Sequence, residues 1–217
     1  MKLKEIYSDN NELHVIVEDS GESFMNLIRR TSSFGIKTFA IEDVTFTQNN
    51  SALYDEILAQ RLGLLPLKVN KDIFTLKKPE VHFTLKVEGP KIVRASDLVT
   101  KGKGVEVLNP HTPIVVLSKD QKLEFIATAT VGTGVEHSKW SAGNVFYFRY
   151  PSSAKGKESL DELRKMIDSE SIGKLKNQPN KFILVIESWG QLTPKEMLNN
   201  YDKFGKMYLW VYMLGIV

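Results

Sequence analysis

The stretch Asn49 to Leu67, NNSALYDEILAQRLGLLPL, reads as one helix with its own start and stop signals, set inside sequence of strand character. Asn50 or Ser51 can accept a first-turn N–H, Asp55 and Glu56 sit near the positive end of the helix dipole, and Arg61 sits near the negative end. Gly63 and then Pro66 stop it. Leu53, Ile57, Leu58 and Leu62 supply an apolar stripe, the expected face toward a core.

Strand signals surround this helix. Phe39, Ile41, Val44 and Phe46 suggest short strands before it. Glu80 to Glu88 alternates, with Val81, Phe83, Leu85 and Val87 on one side, and Lys122 to Val131 does the same through Leu123, Phe125, Ala127, Ala129 and Val131. Gly89-Pro90 and Lys101 to Gly104 read as turns. The block from about 40 to 132 is therefore expected to be β-rich with one helix.

Outside that block, Glu12 to Glu18 predicts a strand and Glu22 to Ser33 a helix with Phe24, Leu27, Ile28 and Thr31 on one face and Asn26, Arg29 and Arg30 on the other. Asn144 to Tyr150 and the β-branched run Lys181 to Ser188 predict strands, and Ser159 to Ile167 a helix opening a polar excursion that lasts to about 180. Thr193 as N-cap, Pro194 at the first position and Glu196 three residues on start a second well-punctuated helix. Its seam is Met197, Tyr201, Phe204, Tyr208, Val211 and Gly215, and Leu209, Trp210, Met213 and Leu214 make the last turns apolar nearly all round. Such a helix is expected to be buried against another chain.

Composition excludes several classes. Without cysteine among its 217 residues, the chain offers no disulfide, thiolate metal site or cysteine nucleophile, and His14, His82, His111 and His137 show no paired metal-ligand spacing. A net charge of +3 is too small for a protein that grips DNA alone through many phosphates, although the Lys/Arg stretch from Lys86 to Lys103 keeps a stand-alone nucleic-acid-binding protein as the rival class. The N-terminus becomes charged too soon for a signal peptide. The longest apolar run, Met207 to Val217, is far short of the roughly 20 residues of a membrane span, so a cytoplasmic protein is expected.

The exact string in the opening helix resembles the signature of the alpha-like RNA polymerase subunits, through Asn49, Ser51, Leu53, Asp55, Glu56, Leu58, Ala59, Arg61 to Leu64, Pro66 and Leu67. Gln60 departs from it, standing where that family usually has His. Three more segments follow in the family's order: Asn26, Leu27, Arg29 and Arg30; then Gly134, His137, Lys139 and Trp140; then Glu187, Ser188, Gly190 and Pro194. His137 with Lys139 can also be read as an acid–base pair or as a hydrogen-bonded turn anchored by Trp140; no nucleophile, carboxylate dyad or phosphate-cradling loop lies near in sequence to complete a site.

The resemblance implies a two-domain α+β fold, a discontinuous alpha-like dimerisation domain (1–39 and 133–217) carrying an inserted β-rich domain (40–132). It also implies a non-catalytic assembly subunit of DNA-directed RNA polymerase, from the archaeal branch of the family. The partners implied are the small alpha-like subunit L, the large catalytic subunits and other small polymerase subunits, with DNA met only through the complex. The implied dimer interface is Phe24, Leu27, Ile28, Arg30, Tyr201, Phe204, Tyr208, Val211 and Tyr212, and the implied contacts to large subunits are Asn49, Ser51, Asp55, Glu56, Arg61, His137, Lys139 and Trp140. No catalytic residue and no cofactor is expected: the acidic triplet that would hold two metal ions about 4 Å apart is missing, and Leu67 to Val87 lacks the cysteines that hold a cluster or zinc in many relatives.

Overall fold

A computed structural model describes residues 1–69, 79–100, 104–154, 161–163, 165 and 177–199. In chain order the elements are β1 (Lys2–Ser8), β2 (Glu12–Glu18), α1 (Glu22–Phe34), β3 (Lys37–Asn49), α2 (Asp55–Gly63), β4 (Leu67–Val69), β5 (Glu80–Glu88), β6 (Lys91–Arg94), β7 (Val99–Thr100), β8 (Val105–Val107), β9 (Pro113–Leu117), β10 (Lys122–Thr133), β11 (Gly143–Pro151) and β12 (Asn177–Ser188). The chain divides into two compact units, one discontinuous (Met1–Ile36 with Ala142–Val217) and one continuous (Lys37–Ser141). The continuous unit thus starts at Lys37 rather than at 40 and runs to Ser141 rather than to 132. The fold is α+β.

The discontinuous unit is built on an antiparallel sheet ordered β1-β2-β12-β11. Strand β12 lies between β2 and β11, and Phe182 to Ile186 are each no more than 3% exposed. Both faces of that run are covered, which is why it is a continuous apolar sequence rather than an alternating one. Phe182, Leu184 and Ile186 join Leu13, Val15, Val17 and the α1 residues Met25 and Ile28, while Ile183 and Val185 join Ile16, Tyr150 and Leu163. Arg149 pairs with Glu22 at 2.7 Å, fixing the start of α1 to β11. The first strand, β1, has no clear sequence signal because its alternation breaks at Lys4-Glu5 and Ile6-Tyr7, where the register also shifts, and it lies on the sheet's exposed edge.

Helical residues 194–199 open with the expected reciprocal cap. The Glu196 backbone N–H donates to Thr193 Oγ1 at 3.3 Å, and the Thr193 N–H donates to Glu196 Oε2 at 3.0 Å. Met197 is fully buried in the unit's core. The rest of the seam, Tyr201, Phe204, Tyr208, Val211 and Tyr212, lies outside the described residues, as does most of the 155–176 excursion.

In the continuous unit the main sheet is ordered β3-β10-β5-β7, with the pairs β4–β8 and β6–β9 beside it. The short strands expected around Phe39 to Phe46 are one 13-residue strand. Its apolar residues change parity, from 39 and 41 to 44 and 46, and a β-bulge at Glu42 absorbs the change, with a second bulge at Thr47 beyond Phe46. Phe39, Ile41, Val44 and Phe46 then stand opposite Val131, Ala129, Ala127 and Phe125, with Glu42 and Thr47 as the extra residues. One core results, from Phe39, Ile41, Leu58, Leu62, Leu65, Phe83, Leu85, Ile114, Leu123 and Phe125 among others.

Candidate docking site

Helix α2 begins later than its sequence suggests. It runs from Asp55 with Tyr54 as the residue before it, and neither Asn50 nor Ser51 caps it. Those side chains are used in the approach instead. Asn49 Nδ2 donates to Leu53 O at 2.9 Å and to Asp55 Oδ1 at 2.7 Å, and Asn49 Oδ1 accepts from the Ser51 N–H at 3.0 Å and from Ser51 Oγ at 2.7 Å. Asn50 ties the end of β3 to β10, its Oδ1 accepting the Lys122 N–H and its own N–H donating to Lys122 O. Local polar side chains have closed a turn where a longer helix was expected.

At the other end, Arg61 Nη1 donates to Ile114 O at 2.6 Å, so this cation is spent within the unit on β9. Gly63 lies against β3, where an added Cβ would stand 3.3 Å from Ile41 O and 3.8 Å from Lys139 Cδ. Both ends of α2 are therefore located by hydrogen bonds or close backbone approach.

This seating decides which side of α2 faces out. Leu58 and Leu62 are fully buried, whereas Tyr54, Ile57 and Leu64 are 77%, 44% and 58% exposed. The expected inward role of Ile57 is corrected. Tyr54, Ile57, Arg61 and Leu64 are spaced 3, 4 and 3, one face of a helix and its flanks, and Asp55 and Glu56 stand exposed in the first turn. Periodicity could not separate two apolar sides that meet at Ile57–Leu58.

Lys139 and Trp140, expected to face a partner, turn inward. The Lys139 side chain is 13% exposed, its Nζ donating to Ile41 O at 3.2 Å, pairing with Glu42, and lying 4.5 Å over the Trp140 ring. Trp140 Nε1 donates to Thr130 O at 3.2 Å, and Trp140 O accepts from Thr38 Oγ1 at 2.5 Å. His137 is exposed, and its Nδ1 accepts the Lys139 backbone N–H at 3.1 Å. No acid–base pair forms, because the lysine ammonium is occupied elsewhere and only its backbone meets the imidazole.

In the discontinuous unit, Ile28 belongs to the unit's own core at 1% exposure. What α1 leaves outward is Arg30, Phe34 at 40% exposure, and the half-buried Phe24 and Leu27. Phe24, Leu27, Thr31 and Phe34 are spaced 3, 4 and 3, a narrow seam of the kind one helix offers another, although Thr31 itself is buried and its Oγ1 donates to Leu27 O at 2.7 Å. No described helix is long and apolar enough to cross a membrane.

The rival nucleic-acid reading loses its cations to neighbours. Within that stretch Lys86 pairs with Glu124 at 2.9 Å and Lys91 with Asp97 at 2.7 Å. These exposed pairs contribute little stability, but they neutralise the stretch locally. Lys101 and Lys103 lie outside the described residues.

A helix-bearing β insert carried by a discontinuous sheet unit defines a class, and residues 44–144 match the family model described as the RNA polymerase Rpb3/RpoA insert domain. The DNA-directed RNA polymerase subunit Rpo3 of Pyrococcus horikoshii is 34% identical over 217 residues, covering 97% of this chain and 82% of the relative. The Rpo3 of Methanothermobacter thermautotrophicus is 30% identical over 234 residues, covering 87% and 89%, and that of Methanocaldococcus jannaschii 44% identical over 125 residues, covering 58% and 63%. The chain belongs to the Rpo3 family, the archaeal alpha-like subunits of DNA-directed RNA polymerase.

Proposed function

We propose that this polymerase subunit is a non-catalytic assembly platform: α1 and the C-terminal helix pair with the small alpha-like subunit L, and the outward face of α2 receives a large catalytic subunit. The exposed apolar stripe Tyr54, Ile57 and Leu64, on a helix whose opposite side is fully buried, is the observation that supports this reading most. Such a stripe has no use inside its own unit. The partly exposed seam of α1 supports the pairing with L in the same way.

The chemistry of transcription then belongs to the large subunits, and this chain supplies position. Its 217 residues contain no thiolate for an iron–sulfur or zinc module. Contact with other small polymerase subunits and work in the cytoplasm are parts of the same reading.

The test is co-expression of the tagged chain with subunit L and the large subunits. Ile57→Asp with Leu64→Asp should release the large subunits and leave L bound. Retention of the large subunits by that variant would overturn the reading, as would a wild-type chain that binds DNA with steep salt dependence and forms no heterodimer.

A further inference from the structure

In the turn containing the exposed His137, the side chains of Lys139 and Trp140 point inward. What it touches is informative. Lys139 reaches back across the unit to Ile41 and Glu42, and Glu42 is the extra residue of a β-bulge in β3. Bulges re-aim a strand by bending it and increasing its local twist, and they leave the extra residue without a ladder partner. The Ile41 carbonyl lies under two groups at once: the Lys139 ammonium at 3.2 Å, and the last residue of α2, Gly63, where an added Cβ would stand 3.3 Å away.

We propose that Lys139 is a positioning residue for the docking of a large subunit: by holding the Ile41–Glu42 bulge it sets the seat of the C-terminal end of α2, and so the direction in which Tyr54, Ile57 and Leu64 face. This rests on the reading that the α2 face receives a large subunit. Charge-assisted hydrogen bonds are the strong ones, and this one closes on a carbonyl at the place where the ladder is irregular. Trp140 holds the ammonium from the other side by its ring face, and the His137 Nδ1 bond to the Lys139 N–H fixes the turn from which the side chain starts. The far side of the helix is held separately, by Arg61 on Ile114 O. Loss of Lys139 would therefore tilt α2 about its Arg61 contact and leave it folded.

Lys139→Met keeps an unbranched stem of similar length and removes the charge that lies over Trp140. At a temperature where this variant remains fully folded by circular dichroism, it should retain the large subunits about tenfold more weakly, with L unaffected, and Lys139→Arg should restore most of the loss. Glu42→Gln, a milder change, should weaken capture in the same direction. Combined with Ile57→Ala, Lys139→Met should add little to the stronger single effect, because both act through one helix face. Unchanged capture by folded Lys139→Met, or penalties that multiply fully in the double variant, would overturn the proposal. Unchanged capture by Ile57→Ala alone would instead overturn the docking face on which it rests.

Discussion

Gly132→Ala is a small substitution with a large expected cost. Gly132 is a buried residue of β10, paired with Thr38, and an added Cβ would stand 2.4 Å from two carbons of the Trp140 ring. Carbon atoms attract at about 3.5–4.0 Å, so the indole must retreat by more than ~1 Å. That movement breaks its hydrogen bond to Thr130 O, worth about 1 kcal/mol, and disturbs the Lys139 cation–π contact, worth about another 1 kcal/mol. Overpacking of a tight core adds ~1–3 kcal/mol. A total of about 3–5 kcal/mol should lower the midpoint of the continuous unit by more than ~10 °C. Thermal unfolding of the whole chain by circular dichroism measures it. The double variant with Trp140→Leu, which makes room for the methyl, should cost clearly less than the two singles together. A loss below ~1 kcal/mol, or additive costs, would show that Trp140 does not lie on Gly132 in this way.

Other consequences are equally direct. Leu58→Ala should cost ~2–5 kcal/mol by opening a cavity, whereas Ile57→Ala, on the exposed side of the same helix, should change stability by less than ~1 kcal/mol; chemical denaturation compares them. Arg61→Ala should cost ~1.5–3 kcal/mol by leaving the Ile114 carbonyl without its charged donor, and should leave heterodimer formation with L intact in co-purification. Partial burial pushes the Asp97 carboxyl up, but the Arg94 N–H and the Lys91 ammonium outweigh it and hold the group below its ordinary value. Its contribution is therefore present above the unfolded carboxylate pKa of about 3.9 and disappears as pH falls through the lower folded value. Asp97→Asn should be less stable than wild type at neutral pH, with the gap closing below about pH 4 in a series of melts.

Much of the architecture is legible in alternation and helix punctuation. The strands Glu12–Glu18 and Glu80–Glu88 have the expected bounds, and Leu123, Phe125, Ala127 and Ala129 of β10 are all buried as their spacing indicates. Where expectation and structure differ, the causes are specific. The start of α2 is ambiguous in sequence because Asn50 and Ser51 can cap a helix or serve elsewhere with the same atoms; here Asn50 Oδ1 accepts the Lys122 N–H and Ser51 Oγ donates to Leu53 O. Ile57 faces out against expectation because periodicity finds an apolar arc without saying which part meets the chain's own core. The inward Lys139 depends on a partner 98 residues away, Ile41, which no local pattern contains. The parity shift from Ile41 to Val44 is visible in the sequence and is the signal of a bulge. For the docking face proposed above, motif position singles out helix α2, but separating the exposed Tyr54, Ile57 and Leu64 from the side chains that seat the helix needs the fold.

The strand order of the discontinuous unit has a consequence for biogenesis. Strand β2 finds its neighbour in β12, so the register Glu12↔Glu187 to Glu18↔Lys181 closes only after nearly the whole chain has been made. During synthesis the segment Lys37–Ser141 is complete first and can fold while β1, β2 and α1 wait without a central strand. Such long-range pairing is slow. If α2 and α1 dock as proposed, the order of events on the ribosome places a finished large-subunit contact ahead of a finished L contact, and during that interval the apolar faces of β2 and α1 are open to chaperones or to misassociation.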